Sequence, residues 1–213
     1  MLRARHPNRS AAAMIPVDPK PALRAAALTA RARAKAAASA DAGQAVLAQA
    51  LTGHPGPIAG YAAIRDEIDP APTLTALVAR GVSVCLPVVD APAQPLRFRV
   101  WTPDTPMAPG AFRVPEPQTG AFCTPRTLIV PLVAFDGTCM RLGYGGGFYD
   151  RTLAALRAGD EPVTAIGFAF AAQGCAAVPA TPTDQPLDAI VTEAGVIARA
   201  GPLPEPNVNM GMQ

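Results

Sequence analysis

The stretch TLIVPLVAFDGTCMRLGYGGGFYDRTLAALRAG, Thr127 to Gly159, decides how this chain folds. It begins as a nearly unbroken apolar run, TLIVPLVAF, passes through a short turn, DGTC, and reaches four glycines within five residues. A helix-patterned segment, FYDRTLAALRAG, follows at once. Strands apolar on both faces belong to parallel sheets covered on two sides, with helices as the connections. The rest of the chain repeats the theme. Further apolar runs fall at PIAGYAAI (57–64), VSVCLPVV (82–89), VTAIGFAF (163–170) and DAIVT (188–192). Helical segments are expected at 21–38, 41–51 and 73–81. The first is alanine-rich, with Pro21 suited to its first turn and Lys20 on the cap side, and TGHPGP stops the second. The expectation is an α/β fold with a largely parallel sheet, occupying 16–200 as a single domain. The Pro-rich stretch 102–126 reads as an irregular excursion with room for an extra hairpin, residues 1–15 as a leader, and 201–213 as a loose tail.

Composition narrows the function classes. Half of the 213 residues are hydrophobic and 16% are charged, so a sizeable core can be buried. A net charge of +2 is too small to point to nucleic acid, and no apolar run is long enough for a membrane-spanning helix. Four widely separated cysteines (Cys85, Cys123, Cys139, Cys175) form no CxxC pair. That argues against zinc and against a disulfide framework, and fits a cytoplasmic location. His6 and His54 lie in stretches poor in other catalytic groups, so a Ser-His-Asp or Cys-His mechanism has almost no support.

A strand, a glycine loop and a helix N-terminus together make an anion site. The glycines let successive N–H groups point into one concavity, and the helix dipole adds roughly half a positive charge. No Lys-Ser or Lys-Thr follows the glycines, which excludes the Walker loop, and Phe148 breaks the GxGxxG frame that starts at Gly143. The cations for phosphates must then come from elsewhere. Arg141 and Arg151 flank the loop, and Lys20 and Arg24 stand four apart near the start of the first helix. Asp150 has no evident cationic partner but Arg151 beside it. A carboxylate at the end of an anion-binding loop calls for a bridging Mg²⁺.

These residues resemble the signature of the 5-formyltetrahydrofolate cyclo-ligase family, whose bacterial form reads close to vPgvaFDxxGxRLGyGgGyYDR. Phe148 stands for a frequent Tyr, Leu132 for a usual Gly, and Cys139 where Gly is common. The resemblance runs from about Lys20 to Glu193. KPALR (20–24) is similar to the KxxLR element, with Pro21 an unusual residue inside it. YAAIRDEID (61–69) is similar to the folate-contacting segment, with its Glu at Glu67. CLPVV and VPEP (114–117) resemble two further elements. Gln173 and then PTDQPLDAIVTE, with Asp184 and Asp188, resemble the closing block. The fold so implied is a three-layer α/β/α sandwich related to the sugar-phosphate isomerase and CoA-transferase group.

The resemblance implies that ATP and 5-formyltetrahydrofolate become 5,10-methenyltetrahydrofolate, ADP and phosphate, through a phosphorylated formyl intermediate. On that resemblance Lys20, Arg24 and Arg141 would carry the catalytic charge and hold ATP together with Leu142, Gly143, Tyr144, Gly145, Gly146, Gly147, Phe148 and Tyr149. Asp150 and Asp184 would hold Mg²⁺. Glu67 would read the pterin edge, and Tyr61, Ala62, Trp101, Tyr144 and Phe148 are the candidates to line the folate cleft. Arg97 and Arg99 alternate with Phe98 as a solvated strand face with a possible reach to the glutamate tail. The expected partners are small molecules alone, a reduced folate and ATP, on a monomer or weak homodimer. Two rival readings remain open here. One is an isomerase or CoA-transferase-like enzyme of the same fold; the other is a non-catalytic folate or nucleotide sensor.

Overall fold

A computed structural model describes residues 18–201, so the leader expected over 1–15 and residues 202–213 of the expected tail lie outside the described residues. In chain order the helices are α1 (Lys20–Ala37), α2 (Gln44–Ala50), α3 (Ala71–Ala79) and α4 (Phe148–Arg157). The strands run β1 (Ile58–Ala59), β2 (Val84–Val88), β3 (Arg97–Val100), β4 (Met107–Pro109), β5 (Pro115–Pro117) and β6 (Phe122–Cys123). They continue as β7 (Thr127–Val130), β8 (Ala134–Phe135), β9 (Arg141–Leu142), β10 (Thr164–Phe168), β11 (Ala189–Thr192) and β12 (Gly195–Ala198).

Eight of these strands form one sheet in the order β12-β11-β10-β7-β1-β2-β3-β6. From β11 across to β2 the neighbours are parallel, and β12, β3 and β6 add antiparallel edges. Strand side chains alternate between faces with a period of two, and here both faces are apolar. Ile58, Val84, Leu86, Ile129, Ile166, Phe168 and Val191 pack with Leu47 of α2 and with Leu74 and Leu77 of α3. Their chain neighbours Ala59, Cys85, Leu128, Ala165 and Ile190 pack on the other side, with Leu153 of α4. The result is helix, sheet and helix in three layers, as the apolar runs imply.

The runs overstate the strands, and the reason bears on the site. TLIVPLVAF is not one strand. Pro131 has no N–H for the ladder, and the chain leaves the sheet after Val130. It stays buried (Leu132, Val133) and then pairs β8 antiparallel with β9 in a separate ribbon. The glycine stretch therefore hangs from this ribbon rather than from the central sheet. PIAGYAAI keeps only Ile58–Ala59 as strand. Within the Pro-rich excursion β4 and β5 form the extra hairpin. Lys20 is the first residue of α1, Pro19 holds the N-cap position without a side-chain bond, and Pro21 sits in the first turn; the Lys20 N–H is accepted by Asp18 Oδ1 at 3.0 Å.

Candidate functional site

The glycine stretch forms one wall of a cleft of about 1410 Å³. Gly145 (φ +99°) and Gly147 (φ +65°) adopt left-handed backbone conformations that strain a residue with a Cβ. Gly147 is also the N-cap of α4, and no side chain caps that helix. The first N–H groups of α4 are thus left for water or for an anion.

Helix α1 runs past this loop and offers three cations at spacings of four and seven, which bring them to one face. Lys20 Nζ lies 2.9 Å from Oδ2 of Asp184. Arg24 donates from Nε to the Gly143 carbonyl at 2.9 Å. Arg31 is fully buried, its guanidinium 5.6 Å from the Tyr144 ring centroid. Arg141 is buried as well. It donates to Oδ1 of Asp150 at 2.8 Å and to the Gln185 carbonyl. Burial pulls its pKa down, and the Asp150 carboxylate pulls it back up. Asp150 is therefore the partner of Arg141, not of Arg151, which instead donates to the Gly146 carbonyl at 2.8 Å. The ribbon explains this: β9 delivers Arg141 to the buried side of the loop, nine residues before Asp150 in the chain but adjacent to it in space.

The two expected metal ligands meet one short segment. Asp150 accepts the Gln185 N–H at 3.0 Å on the oxygen that also takes Arg141. Asp184 takes Lys20 and the Thr181 N–H (2.7 Å) on Oδ2. Burial alone would raise the Asp184 pKa, but the Lys20 and Thr181 bonds outweigh it and hold the carboxyl below its usual range. Each carboxylate keeps its second oxygen outside these bonds. Among the described residues no group of three His, Cys, Asp or Glu comes together to hold a metal. Mg²⁺ ordinarily takes one or two carboxylates plus substrate phosphates, and Asp150 with Asp184 fit that partial donor set.

At the other end of the cleft Glu67 is 5% exposed. Its Oε2 accepts the Ile64 N–H at 2.9 Å and its Oε1 the Tyr144 hydroxyl at 3.1 Å. Burial raises its pKa, against the Ile64 bond and the Arg31 charge. It is no solvated acid of the run RDEID. Tyr61 and Ala62 line the same end, with the Tyr61 hydroxyl donating to the Ile68 carbonyl at 2.6 Å. Leu142 through Tyr149 all line the cleft, as do Lys20, Arg24, Arg141, Asp150 and Asp184.

Trp101 does not join them. Its N–H extends the β2–β3 pairing to the Val84 carbonyl (2.8 Å), and its ring packs on the core beneath α2 and α3. Arg97 and Arg99 lie over the exposed Phe122 ring at 3.5 and 4.5 Å, at the sheet edge. The sequence reading missed Phe112, 71% exposed and edge-on to Phe148 at 5.6 Å, because the Pro-rich excursion has no period to read. It also missed Arg31, although its seven-residue spacing from Arg24 was a usable signal.

Comparison with known proteins identifies the family. The sequence profile of the 5-formyltetrahydrofolate cyclo-ligase family matches residues 17–193. The 5-formyltetrahydrofolate cyclo-ligase of Escherichia coli (strain K12) is 32% identical over 145 residues, covering 65% of this chain and 79% of that protein. Its Haemophilus influenzae counterpart is 34% identical over 136 residues, covering 61% and 72%. The NMR structure of Aquifex aeolicus 5,10-methenyltetrahydrofolate synthetase aligns with a TM-score of 0.68 at 24% identity, over 92% of this chain and 100% of that one. The Mycoplasma pneumoniae synthetase gives 0.61 at 22% identity, over 82% and 98%. The two structures share the fold, and the profile, matched across most of the chain, carries the assignment. The protein belongs to the 5-formyltetrahydrofolate cyclo-ligase family.

Proposed function

We propose that the protein closes 5-formyltetrahydrofolate to 5,10-methenyltetrahydrofolate at the expense of ATP, in the cleft between α1 and the glycine loop. The observation that carries this reading is the meeting of two unlike ends in one cavity. A cationic, glycine-built end suits a triphosphate, and a buried carboxylate end suits a ring edge rich in N–H donors. Tyr144 links them, its backbone in the loop and its hydroxyl on Glu67.

The amide-like formyl oxygen is a poor leaving group. In the proposed reaction it attacks the γ-phosphorus, the bond to ADP breaks, and an imidoyl phosphate results. N10 then adds to the formyl carbon and loses its proton, and the carbon–oxygen bond breaks to release inorganic phosphate. The chain supplies no nucleophile; it positions reactants and neutralises charge. Lys20 and Arg24 hold the triphosphate from the α1 side. The loop amides and the start of α4 hold it from the other, and Arg141 stabilises the charge that develops on the transferred group. Glu67 accepts from the pterin amine and amide, while Tyr61 and Phe148 border the ring. Asp150 and Asp184 would hold Mg²⁺ against the phosphates, where the ion would neutralise their charge.

Family membership displaces the isomerase and CoA-transferase reading. The remaining contrast, with a non-catalytic sensor, is decided by mixing purified protein, 5-formyltetrahydrofolate and MgATP. Growth of the methenyl absorbance that depends on ATP is expected. Binding of both compounds without turnover would favour the sensor. The free cysteines and the absence, among the described residues, of any helix long and apolar enough to cross a membrane are compatible with cytoplasmic work.

A further inference from the structure

The cation row on α1 ends in a residue that the chemistry above does not use. Arg31 is 1% exposed, and its Nε and Nη1 have no hydrogen-bond partner. A buried guanidinium with unspent donors is costly, and an alanine-rich helix would pack at that position without it. Its near anion is Glu67, with Nη1 and Oε1 3.7 Å apart, close enough for an ion pair but too long for a hydrogen bond. The hydrogen bonds Glu67 does make, to the Ile64 N–H and the Tyr144 hydroxyl, bring no charge.

The other groups that act on Glu67 come from every side of it. Arg65, on its own loop, is exposed and screened by solvent. Tyr61, Tyr144 and Tyr149 face it from the segment after β1, from the glycine loop and from α4. Burial raises all three phenols, so they stay neutral near pH 7. Arg31 is thus the buried cation of the set.

We propose that Arg31 is the positioning residue for Glu67: from beneath the cleft it keeps the carboxylate ionised and in place to accept the N–H donors of a reduced folate. The proposal rests on the reading of the cleft as a folate site. It also explains why the pair is stacked against Tyr144, whose hydroxyl can turn away when substrate arrives without leaving Glu67 uncompensated. The sign of the pH effect follows. Burial already pushes Glu67 toward its protonated form, and Arg31 opposes this. Without Arg31 the carboxyl takes its proton at higher pH, so folate binding is lost from the acid side first.

Two measurements test this. Thermal melts of ligand-free wild type, Arg31→Met, Glu67→Gln and the double variant form a cycle. Each single change leaves the other group without its partner, so the double variant should melt higher than the sum of the single effects. If Arg31→Met does not fold, Glu67→Gln in the same chain should restore folding. Additive losses, or a double variant that also fails to fold, overturn the pairing. The second measurement is calorimetric binding of 5-formyltetrahydrofolate without ATP between pH 5.5 and 8.5. Arg31→Met should bind roughly tenfold more weakly at the acid end and close to wild type at the alkaline end, with Arg31→Lys near wild type throughout. A loss uniform in pH, or equal for Lys and Met, overturns the positioning role. A wild type that binds no 5-formyltetrahydrofolate overturns the folate reading and this role with it, whereas the melts report on the pair alone.

Discussion

Replacing Asp150 by Asn perturbs two things at once, and the structure separates them. Asp150 is the counter-charge of Arg141, whose side chain is 4% exposed against 26% for Asp150. Breaking a fully buried pair by removing one partner costs about 3–5 kcal/mol. Here Asp150 is partly solvated, Asn keeps an acceptor in place, and Arg141 keeps the Gln185 carbonyl. The expected loss is therefore about 2 kcal/mol, the worth of a charged hydrogen bond. For a chain of this size that lowers Tm by about 4–8 °C. The assay is a pair of melts in EDTA, where no metal contributes, followed by melts with saturating MgATP. Wild type should gain stability from MgATP by mass action, and Asp150→Asn should gain much less. An unchanged Tm in EDTA would refute the pairing argument and leave Asp150 a metal ligand alone. A full MgATP gain in the variant would refute its place in the phosphate site.

Three further outcomes follow from the geometry. Gly145→Ala, at φ +99°, should cost about 1–2 kcal/mol of loop strain and raise the KM for ATP far more than that for folate; equal effects would make the loop a mere turn. Lys20→Met should weaken ATP and also free the Asp184 segment; an ATP KM within twofold of wild type would remove Lys20 from the triphosphate. The third concerns pH. Burial would raise Asp136, but its bonds to Thr138 and the Val178 N–H lower it, and Asp184 is likewise held low by Lys20 and Thr181. Such carboxyls stabilise the fold above their unfolded pKa, about 3.9, and this is lost as pH falls through the folded value. Glu67 acts in the opposite sense: its folded pKa is raised, so proton uptake favours the native state as pH falls from neutral toward its unfolded value. The wild-type Tm should pass through a maximum on the acid side of neutrality; a steady fall from pH 8 downward would contradict the Glu67 assignment, and no loss at the acid extreme would contradict those of Asp136 and Asp184.

The sheet was legible because both of its faces are buried, so each parallel strand shows as a continuous apolar run. The same property hid where strands end. Leu132 and Val133 are as apolar and as buried as Leu128 and Ile129, yet they lie beyond Pro131 and outside the ladder. At the site, the glycines and Arg141 fall within seven residues and Lys20 and Arg24 stand four apart, so each group shows as a local cluster in the sequence; that α1 lies beside the loop, with Arg24 on the Gly143 carbonyl, does not. Partnerships across the fold were not readable. The carboxylate of Asp150 turns to Arg141 because the β8–β9 ribbon brings it there, and no neighbour rule in the sequence expresses that. Arg31 was hidden among the other arginines of an alanine-rich helix; its spacing from Arg24 hints at a shared face, and burial then singles it out. Trp101 was misplaced because an aromatic at a strand end serves a core as readily as a cleft.

An isotope label reports whether ATP activates the formyl oxygen itself. 5-Formyltetrahydrofolate carrying ¹⁸O in the formyl group is turned over with unlabelled MgATP in unlabelled water, and the inorganic phosphate is analysed by mass. If the oxygen is phosphorylated and then leaves with the phosphorus, each methenyl product formed should yield one phosphate bearing one ¹⁸O. Unlabelled phosphate, with the ¹⁸O released into water, would mean that the formyl oxygen is never phosphorylated.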